Sequence, residues 1–391
     1  MGFDVTQTLE TWTRRGLSDE GIAREDALRV LTDERIEVLP LVHAAGAVRR
    51  KFFGKRVQIH QLHNVQNGAC PEDCGYCGQN RDSKAPIEPY RLKPKEEIIA
   101  EAQRAKEAGA YRYCMVLSGR GPSDADIDHM VECIREVKTR FELKTCLSAG
   151  LMDEGLARRL ADAGLDQLNH NLNTSREHYP EICSTHTYGD RIATLRAARS
   201  AGLKLCSGLI VGMGEGYEDV VDVALELRGL KADSLPVNFL VPIPGNQVVD
   251  ARLAGKALTP EMCLRVLCMF RLTNPSAEIR IGAGREGHLR SQQALALHPA
   301  NSLFVDGYLL TRGSSTLETI RMIVDAGMDL VMDGEAPKEL TELIEVMKSG
   351  GTEAFHVDGS GQIIKQERLS ARKLARLSIK GEEAGAYRAG N

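Results

Sequence analysis

Hydrophobic positions along the chain follow two alternating periods. Short runs dense in aliphatic and aromatic residues end in polar or glycine residues, and each is followed by a longer segment whose apolar positions recur every three or four residues. The β-type runs, in order, are VQIHQL, YRYCMVL, LKTCLSA, QLNHNLN, KLCSGLIVG, LPVNFLV, EIRIGAG and NSLFVDGYLL, eight in all. Between them lie helical patterns such as PKEEIIAEAQRAKEAGA, DIDHMVECIREVKTRF and RIATLRAARSAGL. Several close on glycine, as helix C-termini prefer. Ala-Gly recurs after these segments, at Ala108-Gly109, Ala163-Gly164, Ala201-Gly202 and Ala326-Gly327, and marks equivalent joints. Alternating strands and helices predict a parallel sheet, and eight strands match an α/β fold of the (β/α)8 TIM-type barrel kind, which takes roughly 250 residues. A doubly wound open sheet is the alternative. In a barrel, functional side chains gather at the C-terminal ends of the strands.

Three regions follow from this pattern. Residues 1–50 read as an N-terminal helical cap, with Ser18 in SDEGIAREDALRVLTD as a helix N-cap. Residues 51–332 carry the barrel. Residues 333–391 form a charged, glycine-rich C-terminal extension in which a hairpin is predicted around Asp358-Gly359, ahead of a basic tail to which the sequence assigns no role.

Composition narrows the partners. The 391 residues are 42% hydrophobic and 27% charged, which describes an ordinary globular chain with a sizeable core. A net charge of −4 offers no basic face, so neither nucleic acid nor an anionic membrane is expected. The run Arg49, Arg50, Lys51, Lys55 and Arg56 reads as a solvated helix end. There is no secretory signal pattern and no apolar run long enough to span a bilayer. Ten cysteines are too few for a disulfide-built scaffold, and their clustering points to metal ligation in a reducing, cytoplasmic setting.

The stretch NGACPEDCGYC sets Cys70, Cys74 and Cys77 in one polar loop after the first strand. A structural zinc site takes four protein ligands, so three leave a coordination position open, as catalytic metal sites do. Tyr76 could cover such a centre or stack on a bound base. Three more cysteines, Cys114, Cys146 and Cys206, stand at comparable points of strands two, three and five, and inward-facing thiols there would converge across a barrel. Arg280 on strand seven would face the same space. On physical chemistry alone its partner would be a carboxylate, because a guanidinium has no lone pair to give. In QLNHNLNTS, alternation puts Asn169, Asn171 and Asn173 on one side, at a strand end suited to substrate contact. Gly208 to Glu215 allows close backbone approach to a ligand after strand five but fits neither a Walker loop nor a dinucleotide fingerprint. Cys133, Cys263 and Cys268 sit on helical patterns and read as core. Cys183, close to His186, reads as a loop thiol, with a zinc or regulatory role as the alternative.

The Cys-x3-Cys-x2-Cys spacing with an aromatic before the last cysteine resembles the radical S-adenosylmethionine (SAM) superfamily. The resemblance implies that Cys70, Cys74 and Cys77 hold a [4Fe–4S] cluster whose fourth iron is left for SAM. The set GACPEDCGYC, RYCM, KTCL, NHNLNTS, KLCSGLIVGMGE and RIGAGRE, in this order, closely resembles the biotin synthase family over about residues 40 to 330. That likeness implies an auxiliary [2Fe–2S] cluster on Cys114, Cys146, Cys206 and Arg280. It further implies SAM contacts from Tyr76, Asn173 and Ile210, and substrate contacts from Asn171 and Asn238, with Asn171 and Asn238 able to reach SAM as well. The implied reaction is sulfur insertion into dethiobiotin, using two SAM molecules and a sulfide of the auxiliary cluster, with a flavodoxin or ferredoxin as electron donor and a homodimer as the assembly. Two other readings stay open at this point. One is a radical SAM barrel enzyme with a different substrate, as in the hydrogenase-maturation relatives. The other is an iron–sulfur or zinc protein without turnover.

Overall fold

Parallel pairing closes the predicted strands into a ring. The computed structural model describes residues 4–306 and 313–349, and the backbone of 353–357 and 363–367. The ring is built from β1 (Arg56–Asn64), β2 (Arg112–Val116), β3 (Lys144–Ser148), β4 (Gln167–Asn169), β5 (Lys204–Cys206) with its continuation β6 (Leu209–Val211), and β7 (Ser234–Phe239). After a small hairpin of β8 (Arg252–Leu253) and β9 (Lys256–Ala257), it is completed by β10 (Glu278–Ile281) and β11 (Ser302–Val305). β10 pairs with both β7 and β11. β11 pairs with β1 from Gln58↔Ser302 to Gln61↔Val305, which closes the barrel. All eight predicted runs are therefore barrel strands, although Gly307–Leu310 of the last one lie outside the described residues. A further strand, β12 (Asp329–Val331), pairs with the first three residues of β1.

Ahead of the barrel, α1 (Val5–Leu17), α2 (Arg24–Thr32) and α3 (Val38–Phe53) pack against the later barrel helix α10 (Pro260–Thr273). The connecting helices are α4 (Lys95–Glu107), α5 (Asp124–Phe141), α6 (Glu154–Asp162), the short α7 (Tyr179–Ile182), α8 (Tyr188–Ser200) and α9 (Tyr217–Gly229). After α10 come α11 (Arg285–Leu289), α12 (Gln293–Ala296), α13 (Thr316–Asp325) and α14 (Lys338–Lys348). Polar caps start several of them; Ser123, Thr187 and Ser315 each accept the N–H of an acidic residue three positions on. The Ala-Gly joints end them. Gly109, Gly164, Gly202 and Gly327 all have φ between 69° and 94°, the left-handed turn that glycine adopts freely. β13 (Glu353–Val357) and β14 (Ile363–Glu367) pair as an antiparallel hairpin. Its turn at Asp358-Gly359 and the basic tail lie outside the described residues.

Two expectations are corrected. Ser18 caps the C-terminus of α1, giving its N–H to Arg14 O at 3.0 Å, while α2 starts six residues later behind Ala23. The intervening loop is drawn inward by Ile22, which is fully buried and bonds through its N–H to Leu272 O. Arg49 is not a solvated helix-end residue but fully buried. Its guanidinium donates to the carbonyls of Ala300, Gly54 and Arg56, tying α3 to the barrel base.

The fifth strand is interrupted at Ser207-Gly208. Cys206 faces Ser234 and Leu209 faces Val237, so the register is unbroken, but Pro236 between them has no N–H to give to the ladder. Gly208 packs on that proline so closely that a Cβ would sit 1.8 Å from Pro236 O. Past β6, the chain turns on Glu215, whose buried carboxylate accepts the N–H of Gly212 at 2.7 Å and of Met213 at 2.6 Å.

Gly208→Ala should force the fifth strand off β7 and destabilise the protein by about 1–3 kcal/mol or more, read as a lowered urea midpoint. Burial raises the Glu215 carboxyl from its ordinary 4.5 to about 7, against the lowering effect of its backbone donors. A raised folded value means that this group favours folding at low pH and that the contribution is lost as pH climbs through about 7. The wild type should accordingly lose stability relative to Glu215→Gln as pH rises from about 5 to 8, by on the order of 3 kcal/mol, in paired denaturation curves.

Candidate active site

The three-cysteine loop is held from both sides. Gly75 donates its N–H to Ile182 O on α7 at 2.9 Å, and Val248 donates to Gly75 O at 3.0 Å. Within the loop a tight turn runs from Cys74 O to the Cys77 N–H, and Asn80 Nδ2 closes on the same carbonyl. Cys74 is buried, whereas Cys70 and Cys77 are partly exposed. Glu72 and Asp73, which read only as loop polarity in the sequence, fasten the loop to residues 183–186. Glu72 accepts from Thr185 Oγ1 at 2.6 Å, from Arg120 Nη1 at 3.1 Å and from His186 Nδ1. Burial alone would raise the Glu72 carboxyl, but these donors outweigh it and hold it below its usual range.

Deeper in the barrel the strand thiols meet. Cys114 and Cys146 stand directly opposite each other across β2 and β3. With Cys206 and Phe304 they form a separate buried cluster, 5%, 2% and 0% exposed for the three cysteines. Arg280 Nη1 lies 3.5 Å from Cys206 Sγ, and Asn169 Nδ2 donates to the same sulfur at 3.2 Å. The Cys206 thiol is lowered to about 6, first by its hydrogen bond from Cys146 and, against the cost of burial, by the Arg280 cation. Cys114 is lowered as well, chiefly by Cys146, while Cys146 is raised because it is the donor to both. Two of the three sulfurs are thus held below, and one above, the ordinary thiol value.

A single cavity joins the two places. It is lined by Cys70, Cys74 and Cys77, and by Cys114, Cys146 and Arg280, while Cys206 packs with Cys114 and Cys146 without lining it. Asn169, Asn171 and Asn173 all line it, together with Tyr76, Ile210 and Asn238; strand alternation is not what places them there, because β4 ends at Asn169 and His170 lines the cavity as well. Asn173 adopts φ 69°, and its Nδ2 donates to the Tyr76 hydroxyl. Asn171 Oδ1 accepts from Gly208 N at 3.1 Å and from Asn169 Nδ2 at 3.2 Å, so the strand break sets the asparagine row. Asn238 differs from a freely presented contact residue. Its Nδ2 donates to Leu209 O and its Oδ1 accepts from Ala283 N, both at 2.9 Å, so it braces β6 against the end of β10.

Sequence reasoning missed Arg191. From α8 it donates to Asn171 O at 2.8 Å, to His186 Nε2 at 2.9 Å and to the Tyr179 hydroxyl, and it reaches Tyr76. It looks like any helix-surface arginine in the sequence, and only the fold turns it inward. His170 is buried, with Nε2 unpartnered toward the cavity wall. Burial, then Arg191, push its imidazole far down, so it is neutral.

Cys183 lies 3.8 Å from Cys74 Sγ, and with His186 these atoms would make a compact trio. His186 has no nitrogen to spare, however. Its Nε2 accepts from Arg191, which fixes Nδ1 as the donor to Glu72. The histidine is an orienting element of the loop rather than a free ligand.

The donor chemistry fits iron–sulfur clusters at both places. Thiolates around one zinc ion, each at about 2.3 Å, stand about 3.8 Å apart. Among the described residues, Cys70, Cys74 and Cys77 do not have all three sulfurs within 4.8 Å of one another. The second trio is dry, walled by Phe304 and Leu62, and supplied with N–H···S donors of the type that tunes cluster potentials. All ten cysteines are free thiols.

Residues 66–227 match the radical SAM superfamily and residues 236–329 the biotin and thiamin synthesis associated domain. Biotin synthase of Acaryochloris marina is 51% identical over 351 residues, covering 90% of this chain and 98% of that protein. Biotin synthase of Bacillus subtilis is 44% identical, covering 81% and 93%. Among solved structures, methylornithine synthase PylB superposes with a TM-score of 0.69 at 21% identity, covering 85% of this chain and 99% of that one, and the hydrogenase maturase HydG of Carboxydothermus hydrogenoformans with 0.70 at 17% identity, covering 83% and 79%. These two share the fold. With a closed parallel barrel, two convergent thiol trios and these relatives, the chain belongs to the biotin synthase family of radical SAM enzymes.

Proposed function

We propose that this chain makes biotin from dethiobiotin by inserting sulfur, with two SAM molecules consumed per product. The observation that carries the reading is the single cavity lined by the loop trio and by Cys114, Cys146 and Arg280 of the inner set, since a sulfur donor must sit within reach of the place where an unactivated carbon loses hydrogen. When bound, the [4Fe–4S] cluster supplies the electron that cleaves SAM and the [2Fe–2S] cluster supplies the sulfur, chemistry that no side chain offers.

The chain's residues take the following parts. Cys70, Cys74 and Cys77 hold the first cluster and leave one iron for SAM. Tyr76, Asn173 and Ile210 bind SAM; the Tyr76–Asn173 hydrogen bond supports this by fixing both side chains on one wall. Asn171 contacts dethiobiotin, positioned by Gly208 and Arg191. Asn238 shapes the substrate wall, and its bracing of β6 supports a positional part as much as direct contact. Cys114, Cys146, Cys206 and Arg280 hold the second cluster, and the buried apolar surround keeps water from the site.

A homodimer and a flavodoxin or ferredoxin electron donor complete the proposal, on the strength of the family likeness. Ten free thiols support a reducing, cytoplasmic location. Among the described residues no helix is long and apolar enough to cross a membrane.

An anaerobic single-turnover assay with the loaded protein, SAM, a low-potential reductant and dethiobiotin tests the reading. About two 5′-deoxyadenosine molecules per biotin are expected. 5′-Deoxyadenosine without biotin would move the chain to another substrate. Cys70→Ala should abolish SAM cleavage, whereas Cys146→Ala should retain part of it and make no biotin; equal loss of both in a folded Cys146→Ala protein carrying its first cluster would refute the division between the trios.

A further inference from the structure

Arg280 meets two demands at once in this structure. It faces the thiols, and it also has the carboxylate partner that its chemistry calls for. That partner is Glu278, two residues earlier on β10 and therefore on the same inward face. At 9% exposure it is a carboxylate buried in a barrel interior, a placement that is costly unless every oxygen is matched.

The matches are specific. Glu278 Oε1 accepts from Arg280 Nε at 3.0 Å and also from Arg280 Nη2. The same oxygen accepts from Ser302 Oγ at 2.7 Å and lies 3.2 Å from His60 Nε2. Oε2 accepts from Arg112 Nη1 at 3.2 Å. On the other side of the guanidinium, Nη2 donates to Ser234 Oγ at 2.7 Å. The Phe304 ring lies 5.2 Å from its central carbon. Nε and Nη2 are therefore held by oxygen acceptors, and Nη1, the remaining nitrogen, is the one that points to Cys206.

We infer that Glu278 is a positioning residue for Arg280, gripping one edge of the guanidinium so that Nη1 alone is presented to the auxiliary cluster. The inference rests on the reading of Arg280 as a ligand of that cluster. Without the carboxylate, the guanidine group could turn about its terminal bonds and offer either nitrogen, or swing toward Ser234 and Ser302. Arg112 in turn holds the carboxylate from β2, and His60 of β1 lies beside it, so the surroundings of one ligand draw on five strands of the barrel.

The test uses the reconstituted holoprotein grown with ¹⁵N-arginine, as wild type, Glu278→Gln, Glu278→Asp and Arg280→Met, with circular dichroism and the iron of the first cluster reporting the fold. The readout is the ¹⁵N hyperfine coupling in the one-electron-reduced auxiliary cluster. Wild type should show the coupling of a directly bound nitrogen, Glu278→Gln should lose or broaden it, and Glu278→Asp should recover part of it. Wild-type coupling in Glu278→Gln would overturn the inference. If Glu278→Gln fails to keep the auxiliary cluster, its rate of loss is compared with that of Arg280→Met. Equal loss supports action through Arg280, and retention by Arg280→Met alone overturns it. A wild type that holds the cluster with no arginine coupling would instead fail the ligand reading itself.

Discussion

Closure of β11 onto β1 is the constraint on which everything else in this molecule depends. A parallel sheet of alternating strands and helices could remain open, and its inward residues would then line a curved face rather than share a volume. Once Gln58–Gln61 pair with Ser302–Val305, residues from β2, β3, β5, β10 and β11 are compelled into one small interior. The Cys114–Cys146 pair is a direct product of register across β2 and β3. Cys206, Arg280 and Phe304 reach the same place only because the ring is complete. The helices enforce this closure from outside, with Arg49 of α3 bonding three carbonyls at the base of the barrel.

Much of this was legible in the sequence because its signals are local. Eight apolar runs, glycine-terminated helices and a dense cysteine loop each announce themselves within a dozen residues. The left-handed glycines after four helices confirm that a repeated dipeptide can mark repeated geometry. What escaped were side chains whose surroundings come from distant segments. Arg191 sits on α8 among other arginines, and nothing in its spacing tells that it will turn toward Asn171 and His186. Arg49 looks like its neighbours Arg50 and Lys51 for the same reason. Glu278 was visible only as a partner that Arg280 ought to have, since a cation with no lone pair in a dry interior must find an anion somewhere.

Pro236 shows how a single residue shapes a site at a distance from itself. It withholds a ladder N–H from the fifth strand where that strand breaks, and at the break Gly208 turns its backbone to the β4 side, where its N–H goes to Asn171 Oδ1 and its O accepts from Asn173 N at 3.0 Å. Two asparagines beyond the end of β4 are thereby tied to Gly208. An unbroken strand with a larger residue at position 208 would lose that arrangement through the 1.8 Å collision with Pro236 O.

The two thiol trios occupy different environments. The loop trio has two partly exposed cysteines and is mounted on a polar frame of Glu72, Asp73, Thr185 and Arg120, which suits the SAM-binding centre proposed for it. The strand trio is almost fully buried beneath Phe304 and Leu62. There the low dielectric strengthens every charge interaction, so three cysteines in contact would resist losing their protons. The Cys146 hydrogen bonds counter that resistance first, with the Arg280 cation behind them and Asn169 adding to it at Cys206, and Cys206 and Cys114 are lowered while the donor Cys146 is raised. A second buried cation, Arg112, bonds the same carboxylate as Arg280, so Glu278 answers both arginines. The electrostatics of the inner site therefore form a closed set in which each charged member needs the others in place.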